Sequence, residues 1–181
     1  MQLRELRYPL IAVVVLIVLG LLFAGQWLYK KYFLETPLVE AVNSLPEVEE
    51  SKLFEKTNVV EIKLKKVENL QRAYINIENK LKELEASQDL KIVITDERDK
   101  LLEDLFYKSQ FAIHQAIIKG DFIYMHDHIS KLVSEAGIER FNIFIDSKNI
   151  YVQFHEGDNY LYEIINRQFN YEEDNFTPGS G

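Results

Sequence analysis

Residues 141–165 read FNIFIDSKNIYVQFHEGDNYLYEII, and the spacing of their apolar side chains decides the fold. Phe141, Ile143 and Ile145 recur at every second position, as do Ile150, Val152 and Phe154, which is the period of a strand with one buried face. Asp146-Ser147-Lys148-Asn149 separates these two runs, and Glu156-Gly157-Asp158-Asn159 separates the second from a third over 160–165. Loops this short join antiparallel neighbours, so the segment predicts a C-terminal antiparallel β-meander.

If those six residues face a core together with Tyr160, Tyr162 and Ile164, then Phe144, Tyr151, Leu161 and Ile165 occupy the opposite face. There they stand among Asn142, Gln153, His155 and Glu163. An apolar set inside a polar rim is the make-up of a partner surface, so these four are the candidate partner-binding residues. The alternative is a sheet covered on both faces by helices.

Upstream of the meander the period lengthens. A helix is expected over 97–119, with Leu102, Phe106, Ile113 and Ile117 along one ridge, capped at its start by Asp96 and stopped by Gly120. Asp121 opens a further helix over 122–136, ended by Gly137. Residues 69–85 place Leu70, Ala73, Tyr74, Ile77, Leu81 and Leu84 on one helical stripe. Strands are expected over 59–67, where Val60, Ile62 and Leu64 alternate with Glu61, Lys63 and Lys65, and over 89–95. A short helix of about 37–45 starts at Thr36-Pro37 and ends at Pro46. Between them, 48–55 is read as a short strand or extended arm.

The order helix, strand, strand, helix, strand over 37–95 resembles the ring-building motif of small α/β modules in secretion and sporulation ring proteins. Leu45-Pro46-Glu47-Val48-Glu49 is similar to the Leu-Pro-x-Val-x turn between first helix and first strand in some of these. The resemblance implies assembly of copies side by side, and fold alone assigns no function.

From Tyr8 to Tyr29 the chain reads YPLIAVVVLIVLGLLFAGQWLY, without a charge. A helix of that length measures about 33 Å, enough to cross a hydrocarbon core of about 30 Å. Tyr8, Trp27, Tyr29 and Tyr32 suit the headgroup region, and Lys30 and Lys31 can snorkel. A single transmembrane helix is therefore expected over 8–29, with a cleavable signal peptide ending near Ala24 as the alternative. Gly20 and Ala24 form a small-xxx-small pair suited to lateral self-association of such helices.

The 181 residues carry a formal net charge of −8 and no cysteine. Residues 32–181 hold 17 basic and 28 acidic residues, a net charge of −11, which repels nucleic-acid phosphates and an anionic leaflet alike. Thiolate zinc sites, iron–sulfur clusters and cysteine nucleophiles are excluded. His126-Asp127-His128 offers two imidazoles, but residues two apart on a helix point about 200° from one another and cannot hold one ion. His155-Glu156-Gly157-Asp158 reads as a turn. No serine lies in GxSxG, and no phosphate-binding glycine loop occurs.

The expected fold class is thus α+β, a single transmembrane helix followed by a compact mixed soluble domain with a C-terminal meander. The expected organisation is a cytoplasmic tail 1–7, the span 8–29, a linker 30–36, an extracytoplasmic domain 37–167 with possible submodules 37–95 and 96–167, and a disordered tail 168–181. The expected function is that of a membrane-anchored, non-catalytic interaction or scaffold subunit of a cell-envelope assembly. Its partners are the membrane, other envelope proteins or further copies of itself, and not nucleic acid. No catalytic, cofactor or metal residue is assigned. The alternative is a membrane-anchored small-molecule-binding or sensory domain.

Overall fold

The computed structural model describes residues 7–29, 36–54, 56–84 and 90–168. The expected linker residues 30–35 and the tails at 1–6 and 169–181 lie outside them. The elements run α1 (Arg7–Tyr29), α2 (Thr36–Asn43), β1 (Val48–Phe54), β2 (Val59–Leu64), α3 (Leu70–Glu83), β3 (Lys91–Thr95), α4 (Lys100–Lys119), α5 (Phe122–Ala136), β4 (Arg140–Ile145), β5 (Asn149–Glu156) and β6 (Asn159–Asn166).

The expectation of a transmembrane span is corrected. Residues 7–29 are helical, but among the described residues no helix is long and apolar enough to cross a membrane. The single-pass assignment, the cytoplasmic N-terminus and the extracytoplasmic placement of the domain fall with it. What stands is a mixed α+β fold with two three-stranded sheets, ordered β1-β2-β3 and β4-β5-β6.

In the first sheet β1 pairs antiparallel with β2, and β2 pairs parallel with β3. A parallel pair needs a crossover, and α3 supplies it. Asn69 caps α3 by accepting the Arg72 N–H at 2.8 Å. Leu70, Ala73, Ile77 and Leu81 then pack on Val60, Ile62 and Leu64 of β2. Both β4–β5 and β5–β6 are antiparallel, as the meander predicts.

A second core lies on the far side of the meander. Leu102 and Ile113 of α4 and Met125 and Ile129 of α5 cover Ile150, Val152, Phe154 and Leu161. The cap of α4 is Asp99, which accepts the Leu102 N–H at 2.9 Å, and not Asp96. Gly120 ends that helix at φ 75°, in the left-handed region where a side chain is costly.

The second sheet is consequently enclosed, and β5 is buried at every position but Glu156. Its α3-facing side is polar at selected places. Tyr160 donates its hydroxyl to the Leu64 carbonyl at 2.7 Å, and the Tyr162 hydroxyl accepts the Val67 N–H at 2.7 Å. Gln153 accepts the Leu70 N–H at 2.8 Å and donates to the Glu68 carbonyl at 3.3 Å. These four bonds satisfy the Leu64 and Glu68 carbonyls and the Val67 and Leu70 N–H groups, where the chain leaves β2 and enters α3.

Candidate docking groove between the two sheets

β3 and β6 are the facing edges of the two sheets, and they meet at one end only. Glu97 and Tyr160 form an antiparallel bridge, with the Tyr160 N–H donating to the Glu97 carbonyl at 3.0 Å. Next to it the Asp96 carboxylate accepts the Tyr162 N–H at 2.7 Å. Arg98 grips the same buried carboxylate with Nε and Nη2, both at 2.8 Å, and reaches Glu163 with Nη1 at 2.8 Å. The Asp96 bonds hold the Arg98 guanidinium above its ordinary range against the opposing cost of burial, and Glu163 adds to them.

Beyond this clamp the strands diverge. The Lys91 N–H donates toward β2, to the Asn58 carbonyl at 2.8 Å. Backbone groups alternate sides along a strand, so those of Ile92 and Ile94 point the other way, toward β6. Tyr160 and Tyr162 point theirs toward β3, and by the same alternation Ile164 and Asn166 do too. The backbone groups of Ile92, Ile94 and Ile164 have no ladder partner among the described residues.

The gap is a groove of about 580 Å³. Tyr74 and Leu81 of α3 line it together with Leu90, Ile92, Ile94 and Ile164, while Glu78, Lys82, Lys91 and Glu163 supply charge of both signs. Burial, with Glu78 and Asp146 nearby, pushes the Tyr74 hydroxyl up to about 12, so it is neutral at pH 7. The groove thus offers backbone donors and acceptors over an apolar floor. That arrangement suits the recognition of an extended chain.

The four residues expected on one exposed face are divided between the two cores. Phe144 pairs with Tyr151 and Tyr151 with Ile164, so these share the face turned to α3. Leu161 pairs with Phe154 and Ile165 with Ile150, on the face turned to α4 and α5. Tyr151 and Leu161 are buried, and Phe144 and Ile165 are partly so. The reason is register. Glu156 pairs with Asn159 across Gly157-Asp158, which sets Tyr160 opposite His155 and shifts the third strand by one residue from the expected assignment.

Gly20 and Ala24 are four apart on α1, and nothing lies within 4 Å of a Cβ placed on Gly20. Their association inside a bilayer is withdrawn with the span itself. His128 stacks on Tyr124 with ring centres 5.8 Å apart, and His126 lies 3.6 Å from Asp127. Among the described residues no group of three or more His, Asp or Glu could hold a metal ion.

His155 is not part of a turn. It is buried on β5, with Nδ1 3.2 Å from Arg140 Nη2 and Nε2 3.3 Å from the Tyr162 hydroxyl. Desolvation first, then Arg140 and Lys66, push its pKa down to about 4. The signal for this network was present in Tyr151-x-Gln153-x-His155, polar groups on one face of a strand that is apolar on the other. No protein-family model, curated protein or solved structure matches the chain.

Proposed function

We propose that the chain is a non-catalytic interaction module that docks a partner by taking an extended segment of it into the groove between β3 and β6. The observation that carries this reading is the pair of diverging strand edges, with the backbone of Ile92, Ile94 and Ile164 facing an apolar gap. Unpaired edges are templates for a further strand, and the clamp at Asp96, Arg98 and Tyr162 holds these two open at a fixed spacing. The net charge of −11 over residues 32–181 supports a protein partner over nucleic acid.

The test is selection of binders from a displayed library of random heptapeptides, followed by titration of the recovered peptides. Ile164→Pro removes one edge N–H and Ile94→Lys charges the floor. Recovered peptides should bind the parent chain and lose at least tenfold in affinity to each variant, with far-ultraviolet circular dichroism unchanged. Peptides whose binding ignores both substitutions would refute the proposal.

A second reading, a small-molecule pocket, draws on the groove's volume, which falls in the range of about 300–1,000 Å³ usual for ligand sites. A small ligand would depend on Tyr74 and Leu81 and tolerate Ile164→Pro.

A further inference from the structure

α4 has a second apolar face. Leu102, Leu105, Ala112, Ile113 and Ala116 are buried on one side. Tyr107, Phe111, His114 and Ile118 are exposed on the other, roughly half a turn away. Their spacing of four, three and four residues is that of a coiled-coil seam. The Tyr107 and Phe111 rings already meet edge to face, with centres 5.9 Å apart. Ile123 and Tyr124 follow directly after the Gly120 turn, and the five apolar residues from Tyr107 to Tyr124 are 48–79% exposed.

From this geometry we infer that α4 is a homodimerisation helix, pairing with α4 of a second copy in antiparallel fashion. The area favours this occupant. Taking about 150–250 Å² for each large side chain, the stripe offers roughly 600 Å² per copy, the upper end for a patch left bare on a monomer. Two such stripes facing one another bury roughly 1,200 Å², the lower bound of a specific interface.

The seam is also self-complementary. A two-fold axis between positions 111 and 114 sets Phe111 of each copy against His114 of the other, and Tyr107 against Ile118. Every seam residue then has a partner, and the antiparallel arrangement aligns the helix dipoles favourably. This surface lies on α4 and the start of α5, apart from the groove, so the two proposals stand or fall separately.

The chain has no cysteine, which permits a clean cross-linking test. The full chain is kept in non-ionic detergent, because α1 exposes apolar side chains all round. Under mild oxidation, Tyr107→Cys combined with Ile118→Cys should give a covalent dimer, while each single substitution should not. Adding Phe111→Asp should reduce that dimer at least tenfold, with circular dichroism unchanged. Absence of the cross-link, its equal yield in the single variants, or its persistence with Phe111→Asp would overturn the inference.

Discussion

The Tyr162 hydroxyl accepts the N–H of Val67 at 2.7 Å, joining the last strand to the segment between β2 and α3 across 95 residues of sequence. Tyr162→Phe keeps the ring and removes the acceptor. The Val67 N–H is then buried without a partner, so a loss of about 1–3 kcal/mol is expected. Urea unfolding should show a lower midpoint with an unchanged slope.

His155 makes stability depend on pH. Burial, with Arg140 and Lys66, holds its folded-state pKa at about 4, whereas an unfolded imidazole titrates near 6.5. The unfolded chain therefore takes up the proton first. The contribution, roughly 3 kcal/mol when complete, is fully present above about 6.5 and is lost as pH falls toward 4. Glu68 and Glu139 oppose the shift in part. Unfolding free energies measured between pH 7 and pH 5 should fall in the parent chain and flatten in His155→Gln.

Asp96 and Asp99 are three residues apart and do different work. Asp99→Ala removes a helix cap and should cost about 1 kcal/mol. Asp96→Asn weakens a buried carboxylate that serves both Arg98 and the Tyr162 N–H, and should cost about 1.5–3 kcal/mol. Thermal unfolding of the two variants separates these effects. A larger loss for Asp99→Ala would mean that the clamp is not what joins the sheets.

Leu161→Ala should act on stability, because Leu161 sits in the core beneath α4 and α5. A loss of about 2–5 kcal/mol is expected, measured by denaturant titration. Ile94→Lys, at the partly buried groove floor, should cost less stability and more peptide affinity.

The elements were legible in sequence because each follows a local period. Val60, Ile62 and Leu64 announce a strand and Leu70, Ala73, Ile77 and Leu81 a helix, whatever lies opposite. The register of β6 was not legible in the same way. It depends on which pair closes the Gly157-Asp158 loop, and a shift of one residue moves Leu161 from one face to the other. The groove was hidden because it arises where two sheets fail to meet, a relation between Ile92 and Ile164 that no local pattern encodes. The Asp96 carboxylate was read as a cap because it precedes a helix, and its true partners, Arg98 and Tyr162, include one 66 residues away.

Tyr160 and Tyr162 also set a schedule for synthesis. Their partners at Leu64 and Val67 leave the ribosome some 95 residues earlier, with only water to serve them in the interval. The amino-terminal sheet can gather its helix while translation continues, but its seal arrives with the final hairpin. A nascent chain arrested before residue 160 should therefore remain open to protease between β2 and α3, and one released beyond the tunnel after residue 166 should not.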